Sequence, residues 1–303
     1  MQAAKIVDDA YLRGWPLPLA AADGDKDEKG RILLVGGSPE MPGAIMLAAV
    51  AAMRAGAGKL TVATAATVAP LVAAQVPEAK VIALREDTDC LLAPGAMSEK
   101  LGDLADRFDA VVIGPGFETS PALLADLASL LPKFRQANVI LDACAMDAIA
   151  GKNRAFTPGD PRPPILLTPH AGEMAHLAGC SKDAVLADPV GRLHDGVAQW
   201  HAVVALKGAV TRVANPQGDL WEHHSATPGL GVSGSGDTLA GIIGGLAARG
   251  ASLEQACVWG VALHARAGDA LAQKMGPLGY LARELAEEIP RLMHGLAADN
   301  PAI

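Results

Sequence analysis

The sequence predicts one α/β domain, a three-layer α/β/α sandwich with a mostly parallel central sheet. Three observations carry this. Short runs such as RILLVGG and AVVIG are apolar without alternation, as strands of a parallel sheet covered on both faces must be. Helical stretches separate most of these runs, the pattern of βαβ units. The last third of the chain, beyond a glycine-rich loop, reads as mostly helical.

Residues 1–29 are expected to form an N-terminal arm and linker, because 21–29 (AADGDKDEK) are polar and charged. Residues 30–303 form the main domain. There, 31–37 reads as a buried strand. Residues 43–56 (GAIMLAAVAAMRAG) read as a helix, rich in alanine, free of proline and closed by glycine. Strands follow at 59–64, 81–84, 110–114, 138–143, 164–169 and 203–208, and a second strand follows a turn within 205–220. Helices are expected at 237–249, 253–274 and 277–296, packed on one face of the sheet.

Composition narrows the function. Half of the residues are hydrophobic but only 3% are aromatic, so Ala, Val, Leu and Ile must build the core. A net charge of −8 and few stacking rings argue against nucleic acid. They leave room for a small anion, which backbone N–H groups can hold without net positive charge. Cys90, Cys144, Cys180 and Cys257 form no CxxC pair, which points away from zinc and disulfides and fits a reducing compartment. Asp8 and Asp9 stand where a signal peptide would be apolar, and the apolar run 44–53 is too short to span a bilayer. A cytoplasmic protein with no membrane or nucleic-acid partner is expected.

Chemistry-bearing residues gather at strand ends, where ligands bind in open α/β sheets. GSGD (234–237) follows a loop with glycines at 229, 231, 234 and 236 and precedes a helix. Asp237 as a helix cap accounts for four letters. The glycine-rich approach fits better with an anion cradle of converging N–H groups, helped by the helix dipole, with a carboxylate beside it. VGGSPEMPGA (35–44) taken alone reads as an ordinary strand-to-helix connection, and IGPGF (113–117) as a rigid turn with bare backbone for a ligand or simply a turn. In LLTPHAGEMAHLAG (166–179), His170 sits at the strand end and points to function. Glu173 is read as helix capping and His176 as a surface residue. Lys207 and Gly208 suit a phosphate or nucleotide, although a lone lysine there is usually solvated. Asp142 could orient a ligand or a metal-bound water, or equally tie down a neighbouring loop.

Five stretches together carry a resemblance: GGSPEMPGAIMLAAVAAMRAGAGKLTVAT, VVIGPGF, ILLTPHAGEMAHLAG, LKGAVT and GLGVSGSGDTLAGIIGGLAARG. Over about residues 30–293 the chain resembles the ADP-dependent (S)-NAD(P)H-hydrate dehydratases of the ribokinase-like superfamily. The resemblance implies a ribokinase-like fold and an enzyme that restores NADH or NADPH from the hydrated form while ADP becomes AMP and phosphate. It places Ala44, Gly116, His170 and Asp237 on the hydrated dinucleotide. It places Lys207, Gly208, Ala209, Val210, Thr211 and Gly236 on the adenine nucleotide. Asp237 becomes the catalytic base, and Gly234, Ser235 and Gly236 the anion hole. Mg²⁺ is expected with the phosphates, its ligands unassigned, and a homo-oligomer, such as a tetramer, is expected.

The chain departs from the family pattern at DACAMD (142–147), where Cys144 replaces a second acid and Asp147 an asparagine, and Ala171 replaces a common proline. Relatives with a separate epimerase domain carry it ahead of this region. The short stretch before residue 30 implies the dehydratase alone. The alternatives are a vitamin-precursor kinase of the same superfamily, which would leave a stable phosphorylated product, and a nucleotide sensor without activity.

Overall fold

The computed structural model describes residues 3–18, 29–149, 155–156, 163–225 and 227–297. Of the charged stretch 21–29, all but Lys29 lies outside the described residues. In chain order the elements are β1 (Lys5–Ile6), α1 (Asp9–Gly14), β2 (Arg31–Val35), α2 (Pro42–Arg54), β3 (Lys59–Ala65), α3 (Ala69–Gln75) and β4 (Lys80–Leu84). Then come α4 (Ala96–Leu101), β5 (Ala110–Ile113), α5 (Pro121–Leu130), β6 (Asn138–Leu141), β7 (Ile165–Leu167), α6 (Ala171–Ala178), α7 (Lys182–Ala187) and α8 (Pro189–Trp200). The last are β8 (Val203–Leu206), β9 (Val210–Ala214), β10 (Leu220–His224), α9 (Ser235–Ala248), α10 (Leu253–Met275) and α11 (Ala282–Ala297).

The strands form a single ten-stranded sheet in the order β1-β10-β9-β8-β7-β6-β5-β2-β3-β4. Every pairing is parallel except those of β9, which runs antiparallel to both β8 and β10. Helices cover both faces. Because side chains alternate across a strand, Leu34, Val112, Ile140 and Leu166 join the core under α2, α9, α10 and α11. Their neighbours Leu33, Val111, Val139 and Leu167 join the core under α5, α6 and α8. Two buried faces explain why these strands, past their first residues, are apolar without alternation. The late helices share one face, as expected.

Helix α9 is the spine of that face, with nearly every residue buried. It lies directly on α2: a Cβ added at Gly241 would fall 2.2 Å from the Ala48 carbonyl oxygen. The small residues of GIIGGLAA therefore serve packing along the helix, and this contact fixes where its N-terminus points. The sequence reading began this helix at Asp237; it begins at Ser235.

Residues 3–18 dock on the far edge of the same sheet. Lys5 and Ile6 pair with Trp221 and Glu222 of β10, and Leu12 is fully buried. The Trp15 ring stacks on Trp221 at 6.0 Å between centroids, and Trp259 Nε1 donates to the Trp15 carbonyl at 2.8 Å. Four of the chain's few large aromatics, Tyr11, Trp15, Trp221 and Trp259, thus meet where the arm attaches. The sequence does not announce β1, which has two residues, or β10 (LWEHH), which is half polar because it lies towards the edge of the sheet.

Candidate active site

The parallel strands deliver their carboxyl ends to one edge, where Asp142 follows β6, Thr168 follows β7 and Lys207 follows β8. Asp142 is 4% exposed, and its Oδ1 accepts a 2.5 Å hydrogen bond from Thr168 Oγ1. Lys207 Nζ donates to the same oxygen at 3.3 Å and lies 3.8 Å from Glu173 Oε2. Burial acts to lower the Lys207 pKa, but the charges of Asp142, Glu173 and Asp237 outweigh it and hold the ammonium above its ordinary value. Lys207 is therefore a permanent cation, and it reaches the first turn of α9: a Cβ at Gly236 would stand 3.5 Å from Nζ.

The α9 N-terminus is shaped by Gly234, which serves as its N-cap at φ 88, a conformation that strains any residue with a Cβ. Asp237 is the third helical residue, but unlike Glu173 its carboxylate bonds its own amide and not that of the N-cap residue, so it makes no capping box. Its pKa is pushed up to about 6, first by burial and then by the neighbouring charge of Asp142, with Lys207 pulling the other way. A carboxylate in this range is poised to take a proton at neutral pH. The Gly236 and Asp237 amides belong to the first-turn set with no carbonyl one turn back. The Ser235 N–H donates to the Val232 carbonyl at 3.2 Å, a bond that it must share to serve an anion.

His264 of α10 supports this turn and was missed in the sequence. Its Nε2 lies 2.9 Å from Ser235 Oγ and 3.1 Å from the Ser235 carbonyl oxygen, an acceptor, so Nε2 carries the proton. Burial drives its pKa down to about 4, which keeps the ring neutral. A lone histidine inside a long apolar helix gives no hint of this; only the crossing of α10 over α9 does.

Ala44, in the first turn of α2, meets Gly116, in the turn after β5. Gly116 has φ +72, and a Cβ there would fall 2.6 Å from the Met41 carbonyl oxygen and 2.9 Å from Ala44 Cβ. Gly116→Ala is expected to cost about 1–3 kcal/mol of stability and to weaken binding of whatever lies along this turn; a lower unfolding midpoint with a raised KM checks it. His170 caps α6. Its Nδ1 accepts from the Gly172 and Glu173 amides at 3.0 and 3.1 Å, while Glu173 Oε2 accepts from the His170 amide at 2.8 Å. Glu173 is thus the capping residue foreseen, and His170 caps as well. With Nδ1 an acceptor, the neutral ring carries its proton on Nε2, and the side chain is 60% exposed towards the cleft. His176 is a surface residue paired with Asp147 at 2.9 Å. Cys144 hydrogen-bonds the Phe117 carbonyl at 3.5 Å, and burial raises its thiol pKa.

A cavity of about 570 Å³ opens beside Lys207. Lys207, Gly208, Ala209, Thr211 and Gly236 line it together with His264 and with His170, which the resemblance gives to the dinucleotide. Val210 does not, because alternate residues of β9 face opposite sides of the sheet. Asp237, Ala44 and Gly116 are not part of this wall. The residues singled out in sequence therefore form two groups joined at the first turn of α9.

Residues 32–291 match the model of the NAD(P)H-hydrate dehydratase family. The chain is 45% identical to the ADP-dependent (S)-NAD(P)H-hydrate dehydratase of Xanthomonas campestris over 96% of this chain and 97% of that one. It is 38% identical to a bifunctional NAD(P)H-hydrate repair enzyme of Moorella thermoacetica over 99% of this chain, and spans 56% of that longer relative. Among solved structures, the ADP/ATP-dependent NAD(P)H-hydrate dehydratase of Bacillus subtilis, co-crystallised with ATP and Mg²⁺, superposes with a TM-score of 0.80 at 29% identity, covering 95% of this chain and 97% of that one. A ribokinase-like superfamily protein of Enterococcus faecalis superposes at 0.83 with 24% identity, covering 98% of this chain and 97% of that one, which speaks to the fold. With a half-buried carboxylate, a lysine and a helix N-terminus assembled at the strand ends of the sheet, the chain belongs to the NAD(P)H-hydrate dehydratase family.

Proposed function

We propose that this chain dehydrates the S form of hydrated NADH and NADPH while converting ADP to AMP and phosphate. The observation that carries the reading is Asp237, with its pKa near 6, in the first turn of α9 next to Gly236, which lines the 570 Å³ cavity together with Lys207. A ring hydroxyl is a poor leaving group, and phosphorylation makes it a good one. Asp237 takes the hydroxyl proton as that oxygen attacks the terminal phosphorus of ADP, and AMP departs. The Gly236 amide, the positive end of α9 and Lys207 stabilise charge on the transferring phosphoryl group. The ring nitrogen then expels phosphate, and loss of a ring proton restores the dihydronicotinamide. Ala44, Gly116 and the Nε2–H of His170 hold the dinucleotide. Lys207, Gly208, Ala209, Thr211 and Gly236 hold the adenine nucleotide.

Mg²⁺ fits this arrangement as a phosphate-borne ion. Asp142, Glu173 and Asp237 share one ammonium, so negative charge remains, yet no cluster of three or more His, Cys, Asp or Glu side chains among the described residues could cage a metal. Asp142 or Glu173 would hold it, directly or through water, together with the phosphates. When bound, it would neutralise phosphate charge. The reading also places the protein in the cytoplasm, where reduced cofactors are used, as a homo-oligomer up to a tetramer, and treats 30–303 as one domain with 1–29 as its arm. Among the described residues, no helix is long and apolar enough to cross a membrane.

The test is recovery of reduced-nicotinamide absorbance from hydrated NADH with ADP, with ATP and with neither. Recovery that requires ADP supports the reading; a stable phosphorylated product would instead make the chain a kinase. Because the base must be ionised, kcat/KM is expected to fall about tenfold per pH unit below about pH 6. A rate flat from pH 7 to 5 contradicts the assignment of Asp237.

A further inference from the structure

We propose that His223 selects adenine in the nucleotide cavity by accepting a hydrogen bond on Nε2 from the 6-amino group of the base. The proposal rests on the reading of that cavity as the ADP site. His223 lines the cavity. It pairs with Thr211 across β10 and β9, and Leu206 pairs with Arg212 across β9 and β8. Lys207, Thr211 and His223 therefore form one row across three strands, which puts His223 two strand spacings, roughly 10 Å, from the strand of Lys207. Lys207 Nζ extends further the other way, towards Asp142 and Gly236. A nucleoside diphosphate with its phosphates at Lys207 brings its base to this end, where Leu230, Val261 and Ala265 supply apolar walls.

The arm decides what His223 presents. Its Nδ1 lies 2.9 Å from the carbonyl oxygen of Val7, and a carbonyl only accepts, so Nδ1 carries the proton. Burial pushes the ring pKa down against the Val7 bond, and the charge of Arg266 adds to this. The neutral ring is left with a lone pair on Nε2, an acceptor. The 6-amino group of adenine is a matching donor, whereas the 6-oxo group of guanine or hypoxanthine would set one lone pair against another. Two residues on, Ser225 lines the same cavity, and its buried Oγ has no hydrogen-bond partner among the described residues. The cavity wall therefore holds two polar atoms fit for the edge of a base.

The experiment is calorimetric titration of the full chain and of His223→Phe and His223→Asn with ADP, with IDP and with purine riboside 5′-diphosphate, which lacks the 6-amino group. Asparagine can keep an N–H on the Val7 carbonyl but cannot reach the position of Nε2, so it separates base recognition from docking of the arm. Wild type is expected to bind ADP about tenfold more tightly than either analogue. In both variants that ratio should fall to about one, mainly through weaker ADP binding. If wild type does not distinguish the three ligands, or the variants keep the wild-type ratio, His223 is not the selector, although the nucleotide site stands. If wild type binds none of the three, the nucleotide reading falls and the assignment of His223 falls with it.

Discussion

An Asp237→Asn enzyme is expected to bind ADP normally and to turn over about 10²-fold or more slowly. Asparagine fills the same volume but cannot take a proton from the ring hydroxyl. The same variant should be more stable above neutral pH. The folded-state pKa of about 6 lies above the ordinary carboxylate value of 3.8, chiefly through burial. Between these values the folded chain binds more protons than the unfolded one, so stability falls as pH rises through the interval. The contribution is fully present below about pH 4 and lost above about pH 6. At pH 8 the ionised group costs the fold about 2–3 kcal/mol, and Asn removes that cost. Thermal unfolding of both proteins at pH 8 and at pH 5 reads this out, with the larger gap at pH 8. Near-wild-type turnover would remove Asp237 from the base role. An unchanged midpoint at pH 8 would deny that its carboxylate is desolvated.

Lys207→Gln is expected to raise the Kd for ADP about 10- to 100-fold and to move the acid limb of the rate profile upward. The first effect follows from losing the cation at the first turn of α9. The second follows because the Lys207 charge holds the Asp237 pKa down against burial and Asp142. Stability should also suffer, by about 2–4 kcal/mol, because Asp142 is left buried without its ammonium. Arginine should restore little, since its planar fork does not fit a point-charge site between two carboxylates. The Kd and the pH profile are measured independently. If the acid limb stays in place while affinity drops, the coupling between Lys207 and Asp237 is weaker than the geometry requires.

Much of the fold was legible because its signals are local. Short apolar runs at 32–35, 110–113 and 139–141, each bounded by turn residues, read as strands buried on both faces, and the alanine-rich, proline-free stretch ending at Gly56 reads as a helix. The α10 start at Leu253 was read correctly because Ser252 caps it with a local hydrogen bond to the Gln255 amide. The start of α9 was misplaced by two residues. Serine and glycine at 235–236 are weak helix formers, and what holds them in the helix is non-local: the bond of Ser235 to His264 and the packing of the helix on α2.

The sequence by itself determined the layered α/β architecture, because burial on both faces writes itself into each strand. It also determined which residue types stand at the strand ends, because strand, turn and helix follow one another within a dozen residues. What only the tertiary structure decided is how those ends act on each other. Asp142, Glu173, Lys207 and Asp237 are far apart in the chain, and their charges set one another's protonation only once β6, β7 and β8 lie side by side. The same holds for the arm. Val7 fixes the proton of His223 across more than two hundred residues of sequence, a relation between a carbonyl and a ring that no local pattern of residues can encode, because it exists only where β1 closes the edge of the sheet.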